Sequence, residues 1–585
     1  MTTSHDPITI ITKLDPLTPV EGRVALLLEC ARDSNLALAN ESMGSLRHLI
    51  GSTEEAKQKA SRLAQKLISG EPGFEGVLQL HVMEEIIIRA LEGIFEAIHL
   101  DQWLSESGAR ECRFRVPSPY IERLRSIQAV SGYSYKIVAP PASSVSTAEK
   151  VRRRFKNKGL AGIGESFVWG ARRYFPNGAR WLAAMSNAKR PRERGGWWFY
   201  STAYTFTNIG LAYEPFVPGE MRYLLDSSET GAAPLVERGK PFFDLYAWAT
   251  RRDLPSKQAV EQHRQKLVEK IKSTALTGEE AIARDALLAA EAFLTYLTRI
   301  LPLTCFHSRI FNSFLDDMKP EGVVVGNAAF EGPLLQLARN RGIPTVLLQH
   351  GILGDYYQLM DQPAETLLVR GQFWKEFVMD KMRSRTQVLN VPYASADSSK
   401  RHGSKGHILF LTAVDAALTH THESDLREIV GRLLKVSKRE SRALIIRVHP
   451  METVGYYKNI VEQVSEEIGI RSDVEYSQGA GLEELLQESA VAVMYSSTVF
   501  LDCLRLRIPI VSFDWHDFAY KNVIQQHKVF HFAQDLSDLE GLITAGARGT
   551  LTVSSDYDRF LASTTKEELE SFFRSLTKTS TAQAT

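Results

Sequence analysis

Four short polar clusters, each directly after an apolar run, carry side chains able to hold an anion or move a proton. VVVGN leads to Glu331; PTVLLQHG ends in Gln349, His350 and Gly351; ALIIRVHP ends in Arg447, His449 and Pro450; VAVMYSST ends in Ser496, Ser497 and Thr498. Ser-Ser-Thr at a strand-to-helix turn offers hydroxyls and backbone N–H groups where a helix dipole is positive, an arrangement that holds phosphate. The same three residues also make an ordinary helix N-cap. His449 precedes a proline, which biases it toward an extended conformation. It can donate to a diphosphate or nucleotide oxygen, or simply fill a core position. Arg447, two residues earlier, shares its strand face. His350 precedes Gly351, where a ligand can approach the backbone closely. Its imidazole can act as general base toward a hydroxyl or steer a leaving phosphate. Glu331 is the alternative base, or an acid that complements the first turn of its helix. Asp514, directly after IPIVSF, can hold a ribose or sugar hydroxyl.

Those clusters need strands beneath them, and the periodicity supplies them. From residue 320 onward short apolar runs alternate with amphipathic stretches such as EGPLLQLARNRG and QFWKEFVMDKM. This is β-α-β alternation, which implies a parallel sheet with helices on its faces. A second such series begins after the polar linker SADSSKRHGSKG. In open α/β sheets ligands bind beyond the carboxyl ends of the strands. The expected fold class is therefore α/β, with two Rossmann-type domains facing a cleft. The expected boundaries are a mainly helical region at 1–105, a first Rossmann-like (acceptor) domain at 106–395 with basic and helical insertions, a second, nucleotide-sugar (donor) domain at 396–575, and a polar, frayed tail at 576–585. GGWWFYSTAYTF reads as a buried strand entering a loop.

Composition narrows the function classes. The chain has 585 residues, 44% of them hydrophobic and 24% charged, with a net charge of +1. Bulk charge thus gives no reason to bind polyanions. Four cysteines, none in a C-x-x-C pair, suggest neither a zinc site nor a disulfide framework. The N-terminus lacks the signature of a signal peptide, and no window approaches the roughly 18 apolar residues of a membrane span. A cytoplasmic protein is expected, dissolved or resting on the inner face of the membrane. Residues 150–198, from Lys150 to the pair Trp197 and Trp198, are rich in Arg and Lys with interleaved aromatics. Such a stretch suits a membrane surface or an anionic acceptor, or is a solvated connection. No RNA- or DNA-binding motif accompanies it, so nucleic acid is not an expected partner.

Taken together, QHG (349–351), R-x-HP (447–450) and SST (496–498) resemble bacterial surface-polysaccharide glycosyltransferases of GT-B architecture. The resemblance covers residues 308–513, with a vaguer likeness at 197–226. It is close to the capsule and surface-carbohydrate group that includes sialyl-, polysialyl- and Kdo-transferases, and similar to CDP-glycerol glycerophosphotransferases. It implies that His449, Ser496, Ser497 and Thr498 hold the donor's phosphate, and that Glu331 or His350 is the base. Phe330-Glu331-Gly332 has one acid where the sialyltransferase group often pairs two, and QHGIL stands where the glycerophosphotransferases carry WHGTP. No Asp-x-Asp follows an apolar run, which fits a metal-independent reaction with a nucleotide sugar as substrate and no separate cofactor. The implied activity is sugar transfer, with a CMP-activated acidic sugar as one candidate donor, onto a surface polysaccharide (capsule or lipopolysaccharide) or its lipid-linked precursor. Polyol-phosphate transfer, nucleotide-sugar 2-epimerisation and a non-catalytic nucleotide-binding scaffold are the alternatives.

Overall fold

The computed structural model describes residues 8–11, 23–26, 53–70, 73–74, 80–106, 111–114, 123–128, 135–138, 190–202, 204–226, 229–249, 256–326, 328–349, 363–379, 386–391, 406–412, 423–449, 452–470, 473–479, 481–495, 497, 499–513, 528–553 and 565–583. Within them the strands form three sheets in which every pairing is parallel. The first contains β1 (Ile8–Ile11), β2 (Arg23–Leu26), β3 (Glu111–Phe114) and β4 (Lys136–Val138) in the order β2-β1-β3-β4. Strands on both sides of residue 105 thus share one sheet, which corrects the expected boundary between a helical region at 1–105 and a domain from 106. The helices Thr53–Ile68 and Leu80–Glu106 dominate the periodicity there, and four-residue strands beside them leave a weak signal. Those helices share a core with Lys257–Ser273 and Gly278–Ala289, through Leu63, Leu91, Leu267 and Leu287.

The second sheet contains β5 (Trp197–Ser201), β6 (Met221–Leu225), β7 (Phe242–Asp244), β8 (Gly322–Val325), β9 (Thr345–Leu348), β10 (Thr366–Arg370) and β11 (Gln387–Val391), ordered β11-β10-β9-β8-β5-β6-β7. The third contains β12 (His407–Leu411), β13 (Leu444–Arg447), β14 (Val474–Ser477), β15 (Ser489–Met494), β16 (Ile510–Phe513) and β17 (His531–Ala533), ordered β14-β13-β12-β15-β16-β17. Counted within each sheet by chain order, both run 3-2-1-4-5-6, and the larger adds a seventh strand beside the sixth. This is the Rossmann order. The expected pair of Rossmann-type α/β domains, a GT-B-like architecture, is present. Central strands such as β8, β9 and β15 are buried along their whole length, as helices on both faces of a parallel sheet require.

β5 shows how one strand serves two cores. Trp198 and Tyr200 face the helix Leu301–Met318, with ring centroids 5.0 Å from Phe314 and 5.2 Å from Phe311 respectively. Trp197 and Phe199 face the other way, into a cluster with Leu569 and Phe573. The segment after β5, read as a loop, forms the helix Tyr204–Tyr213. Leu569 and Phe573 belong to the final helix, Lys566–Gln583. Phe573 is 0% exposed and stacks edge-on against Trp197 at 5.3 Å. The chain therefore returns to the first Rossmann domain in this helix, which runs across the expected boundary at 575. Leu569, Phe572, Phe573 and Leu576 follow the three-four spacing of an amphipathic helix. Trp197 and Trp198, placed by the sequence at the end of the basic aromatic stretch, are core residues and offer no membrane contact. Among the described residues no single helix is long and apolar enough to cross a membrane.

Candidate functional site

A doubly wound sheet opens a crevice where its strand order reverses, beyond the carboxyl ends of the strands. Here that gives two places, between β5 and β8 and between β12 and β15. The helix Gln372–Met379 follows β10 and the helix Phe500–Arg505 follows β15. Trp374, near the start of one, and Phe500, the first residue of the other, have ring centroids 6.4 Å apart. Helix starts lie at strand carboxyl ends, so the carboxyl edges of the two sheets converge where the domains touch.

On the third sheet that edge is built around His449. Its amide donates to the Thr412 hydroxyl oxygen at 2.9 Å, and the Thr412 hydroxyl donates to the Glu452 carboxylate. The other Glu452 oxygen accepts from the Tyr457 hydroxyl at 2.9 Å. The His449 carbonyl accepts from the Glu452 amide at 2.9 Å and from the Gln478 side chain at 2.9 Å. Gln478 also donates to the Glu452 carbonyl at 2.8 Å. The bond from Glu452 to His449 thus closes a turn, with both backbone polar groups of His449 satisfied. Burial holds the His449 imidazole below its ordinary value of 6.5, so near neutral pH it offers one N–H donor and one acceptor. Burial, and next Glu452, push the Tyr457 phenol well above its usual range, which keeps it a hydrogen-bond donor.

Arg447, the last residue of β13 and two residues before His449, reaches sideways. It donates to the Ser477 hydroxyl at 2.6 Å and to the Gly479 carbonyl, joining β13 to the end of β14. Ser497 opens the turn after β15: its hydroxyl accepts from the Val499 amide at 3.3 Å and its carbonyl from the Phe500 amide at 3.1 Å. These two bonds brace the turn ahead of a six-residue helix, which has no side-chain cap of its own.

The second sheet treats its reversal differently. Glu331, in the first turn of Ala328–Arg339, is 0% exposed. One carboxylate oxygen accepts from the Thr202 amide at 3.0 Å and the Thr202 hydroxyl at 3.2 Å; the other accepts from the Gly326 amide at 2.9 Å. Thr202 follows β5 and Gly326 follows β8, so the carboxylate bridges the reversal point. The Gln349 side-chain oxygen accepts from the Arg370 amide at 2.7 Å and extends the β9–β10 ladder. The structure thus places Glu331 and Gln349 at one carboxyl edge and Arg447, His449 and Ser497 at the other. His350, Gly351, Ser496, Thr498 and Asp514 lie outside the described residues, as does the basic stretch up to residue 189. At its described end Arg190 donates to the Ala247 carbonyl at 2.9 Å and pairs with Asp317 at 3.4 Å.

Sequence reasoning missed Thr412, Glu452, Asp226 and Tyr200. Thr412 directly follows the apolar run HILFL, and Glu452 lies two residues past Pro450, so both carried the strand-end signal. Asp226 follows β6, a strand not read from the sequence. Tyr200 is 1% exposed and its hydroxyl has no hydrogen-bond partner among the described residues; burial, then Asp226 and Glu331, raise its pKa well above the phenol range. Among the described residues no group of three or more His, Cys, Asp or Glu side chains is arranged to hold a metal ion.

No protein-family profile matches the chain, and no curated protein sequence matches it. Solved structures similar to it include a UDP-GlcNAc 2-epimerase from Methanocaldococcus jannaschii (11% identity, 66% of this chain and 99% of that one, TM-score 0.40). MurG from Acinetobacter baumannii shares 10% identity over 65% of this chain and 99% of its own, with a TM-score of 0.36. HepE from Anabaena, in complex with UDP and glucose, shares 10% identity over 66% of this chain and 97% of its own, with a TM-score of 0.36.

Proposed function

We propose that this chain is a glycosyltransferase that moves a sugar from a nucleotide donor to a glycan or lipid-linked glycan acceptor. The observation that carries the reading is the reversal point between β12 and β15, edged by Thr412, the clasped His449 turn and Ser497. A neutral imidazole and a row of hydroxyls can donate to a leaving phosphate and stabilise its developing charge. The donor sits on this third sheet, and the acceptor enters from the second. Of the two bases the sequence offers, Glu331 is held by three donors, which supports His350 as the base. Residues 150–189 bring the enzyme to an anionic membrane face in the cytoplasm.

One observation favours a second reading. Asp226, Asp244 and Glu331 stand at the carboxyl edge of the second sheet and Glu452 at that of the third. This acid set is richer than the sequence suggested and suits a nucleotide-sugar 2-epimerase.

The test has two stages. Melting of the purified chain is followed with CMP, CDP, UDP and GDP, where a nucleotide that binds only the folded state raises the melting temperature. The corresponding nucleotide sugar is then incubated in D₂O with and without acceptor glycan. Acceptor-dependent release of nucleotide supports transfer. Deuterium entering the sugar without acceptor supports epimerisation, because inverting a C–H centre breaks that bond. No stabilisation by any nucleotide removes both readings, and a nucleotide-binding scaffold with them.

A further inference from the structure

The third-sheet edge contains one buried-network acid with no assigned task. Glu452 lies three residues beyond His449, and its carboxylate ties together the polar ends of two elements that also pack in one core through Phe410 and Tyr457. One oxygen receives the Tyr457 hydroxyl from the helix Val454–Ile468, and the other receives the Thr412 hydroxyl from the end of β12. A hydroxyl has one proton. Because the Thr412 proton goes to Glu452, a lone pair of the same oxygen is fixed toward the His449 amide, which donates to it at 2.9 Å. The carboxylate thereby sets the direction of the whole relay.

We propose that Glu452 is a positioning residue: through Thr412 it fixes the backbone of His449 at the edge of the β12–β15 crevice, where the diphosphate or monophosphate of a nucleotide binds. The inference rests on the donor-site reading above. In this role Glu452 acts only through Thr412. A glutamine in its place has only one acceptor oxygen, so either Tyr457 or Thr412 loses its partner. An amide N–H turned toward Thr412 competes with the His449 amide for the same lone pair. The turn then loses its single conformation, and binding falls by the cost of restoring it.

The experiment is a double-mutant cycle on the full chain, with CMP, CDP, UDP and GDP each titrated by calorimetry. Glu452→Gln is expected to weaken the best-bound nucleotide by about tenfold, in line with the loss of one charge-assisted hydrogen bond, and Tyr457→Phe by about threefold, because Thr412 keeps its carboxylate partner. In a His449→Ala background Glu452→Gln is expected to add less than about twofold, because coupled residues are non-additive. A purely structural role would give the same loss in both backgrounds, and that result overturns the proposal. Wild-type binding by Glu452→Gln overturns it as well, while leaving the donor site standing. If Glu452→Gln does not fold, Tyr457→Phe decides: unchanged nucleotide binding in that variant overturns the proposal. A wild-type protein that binds none of the four nucleotides overturns the donor-site reading, and this one with it.

Discussion

The two Rossmann-type sheets share one strand order yet use their reversal points in opposite ways. On the second sheet a buried carboxylate, Glu331, closes the point by gripping both flanking strand ends. On the third sheet the equivalent strand end, Thr412, is pulled toward β13 by His449 and Glu452. Polar side chains at strand ends thus divide into those that satisfy the sheet itself and those held in a turn beside a crevice. Their cores differ as well: Trp197, Trp198, Phe199, Tyr200 and Tyr223 fill the second sheet, while Ile408, Val430, Leu444, Val461 and Val491 fill the third. Shared topology therefore does not imply shared chemistry, and residues around the crevice decide which domain takes a ligand.

That contrast can be broken by experiment. The largest effect is expected at the aromatic core of the second sheet. Phe573→Ala should destabilise the chain by about 3–5 kcal/mol, read by denaturant melts, because a fully buried ring leaves a cavity against Trp197. A final helix that does not pack on the second sheet would show no change. Next comes Glu331→Ala, which strips the buried Gly326 amide and the part-buried Thr202 amide of their acceptor and should cost about 2–4 kcal/mol. Nucleotide affinity at the other sheet should be unaltered. The opposite pattern, full stability with turnover lost, would show Glu331 to be the base.

His449→Ala should do the reverse of Glu331→Ala. Nucleotide affinity is expected to fall by about 10- to 100-fold with little change in melting temperature, the scale of one hydrogen bond to a charged group. Equal loss of stability at both edges would erase the distinction drawn here. The smallest effect is a pH dependence. Burial holds His263, His407 and His449 below their ordinary value of 6.5. Each therefore binds fewer protons folded than unfolded as the pH drops through 6.5, so its contribution is fully present above that value and declines below it. Melting temperatures measured from pH 7.5 down to about 5 should fall progressively, and His263→Gln should flatten the profile. A melting temperature that rises on acidification would contradict the burial of these rings.

Much of this was legible in the chain itself. Continuous apolar runs such as VVVG, TVLL and AVAVM declare strands buried on both faces, and the helices between them declare parallel pairing. These are local properties, carried by composition and period within about a dozen residues. Even the strand-end residues were visible, since a polar residue directly after such a run must lie at its carboxyl end. The task of each was not visible. Glu331 meets Thr202 across 129 residues, Glu452 meets Thr412 across 40, and Trp197 meets Phe573 only because the last helix returns to the first domain. Hydrogen-bond saturation depends on partners brought together by folding, and a residue's own neighbourhood in sequence holds no record of them. The sequence by itself determined the α/β layers and the candidate polar groups. Only the tertiary structure decided which of those groups are engaged in holding strands together and which stand in a braced turn beside the β12–β15 crevice.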